Sequence, residues 1–193
     1  MLLPIFIFSA IASYTVKIER GADMKRIVCV LFLCLFLLSS CRQNGATPLE
    51  MAKSILLQYP EIPFGQTVYC EGSLPGQIGY MSPRLRSLLY DGGRDRELPE
   101  FTAVCAYAVL LSDGLYGAEL HVFQMNTEAD ADQMKTILLR RAELLKRRSL
   151  YIFAPGAYED YFVSSQVVVK ECFVFFLCTG RNEEILKKLE NMI

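Results

Sequence analysis

Apolar residues follow two rhythms along the second half of this chain. Thr102 to Leu111 and Ala118 to Met125 are rich in β-favouring residues, and Ser112-Asp113-Gly114 between them is a turn signal, so two strands are predicted. From Thr127 the spacing changes. Met134, Ile137, Leu138, Ala142 and Leu145 recur at three and four residues, the stripe of a helix that Thr127 caps and that runs to about Arg148. Its acids Glu128, Asp130 and Asp132 come first and its bases Arg140, Arg141, Lys146, Arg147 and Arg148 follow, an order that complements the helix dipole. Ser165 to Val169 and Cys172 to Cys178 then read as a hairpin turning at Lys170-Glu171. The second arm is apolar throughout, which predicts a central strand covered on both faces. Asn182 caps a last helix with Ile185, Leu189 and Met192 facing inward.

The first half is more broken. Thr47-Pro48-Leu49-Glu50 is a capping box with proline at the first helical position, and Met51, Ile55, Leu56 and Tyr59 supply one apolar face before Pro60. Residues 60–82 read as loop with one short strand around Thr67 to Cys70. Ser82-Pro83 opens a second short helix, with Leu85, Leu88 and Leu89 inward and Gly92-Gly93 ending it. The expected fold class is α+β: a two-layer domain whose four-stranded antiparallel sheet, in ββαββα order, follows two short helices.

Upstream of all this lies a different pattern. Met24-Lys25-Arg26 leads into the apolar block Ile27 to Leu38, and Leu38-Ser39-Ser40-Cys41 closes it. A positive start, a short apolar middle and small residues before a cysteine are the marks of a bacterial lipoprotein signal peptide. The block is too short for a hydrocarbon core that needs ~20 residues. Cys41 is the expected lipid attachment site: its thiolate takes a diacylglyceryl group and it becomes the mature N-terminus. Met1 to Val16 is a second apolar stretch, and a lipoprotein signal does not begin so deep in a chain. Residues 1–23 are therefore read as a non-native extension from a mis-assigned start, 24–40 as the signal peptide, 41–47 as a tether and 48–193 as one α+β domain. Arg42 to Thr47 reach about 20 Å at most, which keeps the domain close to the outer face of the cytoplasmic membrane.

Charge narrows the partners. The chain carries 20 basic and 21 acidic side chains; four bases and two acids precede Cys41, leaving 16 and 19, a net charge of −3. That is no nucleic-acid signature. Cys29 and Cys34 fall in the leader, so Cys70, Cys105, Cys172 and Cys178 remain, enough for two disulfides in three pairings or for none. Cys172 and Cys178 in one extended strand would sit ~20 Å apart, beyond disulfide reach. The sequence has no C-x-x-C and no His-Cys cluster, so neither a metal nor another cofactor is expected.

Candidate catalytic groups are few. His121 is the sole histidine; alternation places it with Glu119 and Phe123, opposite Leu120 and Val122, where it reads as a half-exposed strand residue. No G-x-S-x-G, S-x-x-K or H-E-x-x-H occurs. Glu159-Asp160 and Glu183-Glu184 are chain neighbours whose side chains diverge, which makes poor acid–base pairs. The aromatic segment 151–162 is the best binding candidate, with Tyr151, Tyr158 and Tyr161 able to stack on a sugar or on a partner's side chains. The alternative is a cluster packed over the sheet. Lys146-Arg147-Arg148 could equally touch anionic lipid or complete the helix end.

The region 85–193 resembles a family of uncharacterised lipoproteins of Gram-positive, clostridial-type anaerobes, known only as a domain of unknown function. The resemblance rests on Tyr107, Glu119-Leu120, Glu128 to Asp132, Tyr151 to Tyr158, Val167-Val168-Val169 and Glu183-Glu184. Ala118 and Lys170-Glu171 depart from its pattern. The resemblance implies a lipoprotein of α+β fold and supplies no catalytic residue. The expected function is a membrane-anchored, non-catalytic module binding a ligand or an envelope or cell-wall partner. A cell-envelope hydrolase with an unrecognised Cys/His or carboxylate site is the alternative. A solute receptor is disfavoured, because 153 residues are few for two lobes closing on a ligand.

Overall fold

A computed structural model describes residues 45–90, 101–112, 117–152 and 159–193, with the backbone alone for 148–152 and 159–160. The expected signal segment with Cys41, the expected Gly92-Gly93 stop, Asp113-Gly114, and the side chains of Tyr151 and Tyr158 lie outside the described residues. In chain order the elements are α1 (Pro48–Gln58), β1 (Val68–Cys70), α2 (Pro83–Tyr90), a 3-10 turn (Phe101–Ala103), β2 (Val104–Leu111), β3 (Glu119–Met125), α3 (Glu128–Ile152), α4 (Glu159–Val163), β4 (Gln166–Lys170), β5 (Phe173–Cys178) and α5 (Asn182–Glu190).

The capping box forms as its sequence requires. Glu50 N–H donates to Thr47 Oγ1 at 3.3 Å and Thr47 N–H donates to Glu50 Oε2 at 2.8 Å. The last helix differs. Arg181 holds its N-cap position with no side-chain cap, and Asn182 is its first residue.

The sheet has five strands, in the order β1-β2-β3-β5-β4, every neighbouring pair antiparallel. The expected four-stranded sheet thus gains an edge strand, β1, pairing Val68 with Leu110 and Cys70 with Ala108. The short strand expected around Thr67 to Cys70 forms; its pairing with the free edge of β2 is what the sequence did not show. The layering also differs from the two layers expected. On one face α2 and α3 bury Leu89, Met134, Leu138 and Leu145 against Val109, Phe123, Val174 and Phe176. On the other, α1 and α5 bury Met51, Ile55, Ile185 and Leu189 against Leu110, Leu120, Phe175 and Leu177. Helices on both faces follow from β3 and β5, which are buried along their whole lengths.

Register defines two ends of the sheet. Cys70 neighbours Ala108, and Tyr107, Phe123, Val174 and Val169 align beside them, next to the β4–β5 hairpin turn. At the opposite end lie Val68, Leu111, Glu119, Cys178 and Gln166. We refer to these as the hairpin end and the far end. β5 delivers the chain to the far end, and α5 runs back over its face for ~13 Å toward the hairpin end. There Met192 C=O accepts from Ala46 N–H at 2.8 Å, so α1 starts at the hairpin end. It finishes at the far end, where Gly65 N–H donates to Leu111 C=O.

Candidate functional site

His121 is not half-exposed. Its strand is the middle one of five, and α3 closes over the face it shares with Glu119 and Phe123. The imidazole is fully buried, as is the Glu119 carboxylate. Two helices contribute the rest of the group: Arg141 from α3, 1% exposed, and Tyr90 from the last residue of α2.

Hydrogen bonding links all four. Arg141 Nε donates to Glu119 Oε2 at 3.0 Å and its NH2 group donates to Glu119 Oε1, a bidentate pair. His121 Nε2 lies 3.1 Å from Glu119 Oε2, and its Nδ1 lies 2.9 Å from Tyr90 OH. An ionised carboxylate only accepts, so Nε2 carries the proton and Tyr90 donates to Nδ1. The chain of donors therefore runs Tyr90 to His121 to Glu119, with Arg141 supplying the balancing charge.

Burial sets the direction of each ionisation. It raises the Glu119 carboxyl, but the Arg141 guanidinium and the bonds from His121 and Arg141 outweigh it and leave the pKa below the ordinary value. Burial lowers His121, and the Glu119 bond and charge recover only part of that. Burial lowers Arg141, but Glu119 more than compensates and its pKa ends raised. Tyr90 is pushed well up by burial and then by the Glu119 charge. At neutral pH the group holds one carboxylate, one guanidinium, a neutral imidazole and a neutral phenol. Its net charge is zero, the state that a buried cluster tolerates.

Cys178 pairs with Glu119 across the sheet. Its thiol donates to Tyr161 C=O at 3.4 Å, and burial followed by the Glu119 charge holds it protonated. It is no nucleophile in this setting. Among the described residues Cys70, Cys105, Cys172 and Cys178 form no disulfide. Among the described residues no three His, Cys, Asp or Glu side chains gather as a metal site.

An open concavity lies away from this group, at the far end. A groove of about 660 Å³ is bordered by Ser164, Gln166, Thr179, Arg181, Glu184 and Lys187, among others. Its floor is rigid. Asn182 Oδ1 accepts from Thr179 N–H and Thr179 Oγ1, both at 2.8 Å, and Asn182 Nδ2 donates to Ser164 C=O at 2.7 Å. Arg181 is drawn aside by Glu61 at 2.7 Å and Glu184 at 3.6 Å, with its guanidinium over the Tyr59 ring.

Of the three tyrosines of the aromatic segment, only the Tyr161 side chain is described. It is half-buried and packs against both core clusters. Its ring lies behind the groove floor, so close that a β-carbon added to Gly180 would approach it to 2.9 Å. Sequence reasoning missed Tyr90 and Arg141. Tyr90 gave no signal. Arg141 did: it falls between Leu138 and Leu145 on the apolar stripe, where a charge requires a buried partner. No family model, curated protein or solved structure matches this chain.

Proposed function

We propose that this chain is a lipid-anchored extracytoplasmic module that binds a ligand or an envelope partner in the far-end groove and carries out no chemistry on it. Cys41 would bear the lipid, on the outer face of the cytoplasmic membrane. What carries the reading is a contrast in access. The sole imidazole has both ring nitrogens committed inside the core, whereas the groove is open and mixes hydroxyl, amide, carboxylate and ammonium groups over a fixed floor. Such a surface offers hydrogen-bond donors, acceptors and charges to a ligand or partner. The groove also lies at the end of the sheet opposite Ala46, away from where the chain enters the domain. No helix among the described residues is long and apolar enough to cross a membrane, and a lipid on Cys41 requires none.

The test is complementation of a deletion strain. Gln166→Ala combined with Lys187→Ala removes two groove side chains without touching the floor. Complementation should fail while the melting curve is unchanged; Leu139→Ser, on an exposed part of α3, should complement fully. Complementation by the groove variant would refute the reading. Loss of complementation with His121→Gln, in protein that still melts cooperatively, would favour the envelope hydrolase.

A further inference from the structure

The loop that follows β1 is built to present apolar side chains. Leu74, Pro75, Gly76 and Gln77 form a β-turn: Gln77 N–H donates to Leu74 C=O at 3.0 Å, and Gly76, its third residue, has φ +86°. Proline second and a left-handed glycine third are the pattern of a type II turn. Gln77 also accepts Leu74 N–H through Oε1 at 2.9 Å. Gly79 returns the chain to β1, where its C=O accepts Cys70 N–H at 3.1 Å. Any side chain there would meet Val68 C=O at 2.6 Å. On this closed frame Leu74 is 62% exposed and Ile78 is 89% exposed. A single exposed leucine is ordinary. Two on one rigid turn, within eight residues from Gly72 to Gly79 that carry no charge, are not.

The position of the loop narrows what it meets. It leaves β1 at Cys70, the hairpin end, where Glu71 N–H donates to Tyr107 C=O. Ala46 lies at that same end, bonded to Met192. The tether therefore reaches the domain on the side from which this tip projects. We propose that the 71–79 loop is a membrane-docking tip, with Leu74 and Ile78 seated in the acyl boundary of the bilayer that holds the lipid on Cys41. This rests on the lipid-anchor reading. A bilayer suits the loop because no charge lies between Gly72 and Gly79 and the Leu74 and Gln77 amides are bonded within the turn. One acyl anchor alone leaves a domain free to tumble; a second contact fixes its orientation.

The chain contains no tryptophan, so one introduced indole reports alone. Ile78→Trp and, as a control, Leu57→Trp are purified as the mature lipoprotein. Leu57 is 82% exposed and lies at the far end of α1. Each is reconstituted into vesicles of phosphatidylglycerol and phosphatidylethanolamine brominated along the acyl chains, and the mass of the N-terminal peptide reports whether Cys41 carries lipid. The Ile78→Trp emission should shift to the blue and be quenched by bromine, while that of Leu57→Trp stays red and unquenched. With lipid present, an Ile78→Trp signal no more quenched than the control would overturn the docking tip and leave the anchor standing. A blue shift confined to native membrane vesicles would assign the tip to a protein partner and overturn it too. An N-terminal peptide without lipid would remove the anchor reading, and this inference with it.

Discussion

Removing the Arg141 guanidinium would strand the Glu119 carboxylate inside the core. Breaking one side of a buried ion pair typically costs about 3–5 kcal/mol, so Arg141→Leu should be among the most damaging single changes in α3. Replacing both partners, as Glu119→Gln with Arg141→Leu, should cost less than the two losses added. The expected coupling is about 0.5–3 kcal/mol, read from urea unfolding of all four proteins. Strict additivity would show that the pair contributes no more than its separate packing. His121 adds a pH dependence. Its folded pKa is depressed, so below about pH 6.5 the unfolded chain takes a proton that the folded chain refuses. Stability is therefore full above that pH and falls as pH drops toward the folded value. Glu119, also depressed, adds a second loss below its ordinary value of 4.5. His121→Gln should lose about 1–3 kcal/mol at pH 7 through imperfectly met partners, yet show a flatter stability profile from about pH 6.5 down to the onset of the carboxylate loss. A profile as steep as that of the unmodified chain would assign the first limb to another group. The alternation of β3 correctly grouped His121 with Glu119 and Phe123. What it could not supply was the cover, since the burying side chains come from two helices distant in the chain, Tyr90 on α2 and Arg141 on α3.

At the level of elements, patterns that close locally were legible and those that need a distant partner were not. The Thr47–Glu50 box and the α3 stripe each involve residues three or four apart, and both are present. α3 runs to Ile152, beyond the expected end near Arg148. The short strand around Thr67 to Cys70 and the two-sided cover of β5 were readable; that β1 joins the edge of β2, and that α1 and α5 supply the second face, were not. The β4–β5 hairpin shows the same division. Its existence was readable, but the two-residue loop is Glu171-Cys172, and Glu171 adopts φ +52°. A left-handed conformation costs a non-glycine residue roughly 1–2 kcal/mol, against about 0.5–1 kcal/mol of extra chain entropy for glycine. Glu171→Gly should therefore raise the unfolding midpoint by a net gain of about 0.5–1 kcal/mol. A lower midpoint would mean that the exposed Glu171 side chain contributes more than its backbone costs.

Across the whole molecule, the far-end groove and the 71–79 tip occupy opposite ends of one sheet, an arrangement that no local pattern encodes. The sequence offered the anchor signal and an aromatic segment; the groove brings together Ser164, Thr179 and Lys187 through the β4–β5 pairing and the Asn182 bonds. If Cys41 is the anchor, Cys41→Ala should abolish labelling by a fatty-acid analogue and leave an unprocessed precursor, read by gel shift and mass. Unchanged labelling would end the anchor reading. The bond between Ala46 and Met192 has a further consequence, for the order in which the domain can be built. As the chain emerges during synthesis, α1 is made before the strands that cover its apolar face, and Met192, which fastens its start, follows all of them. Such long-range closure is slow. Until Met192 arrives, Met51 and Ile55 remain uncovered or only partly covered, and during that interval a chaperone or a second nascent chain has its best opportunity to bind them.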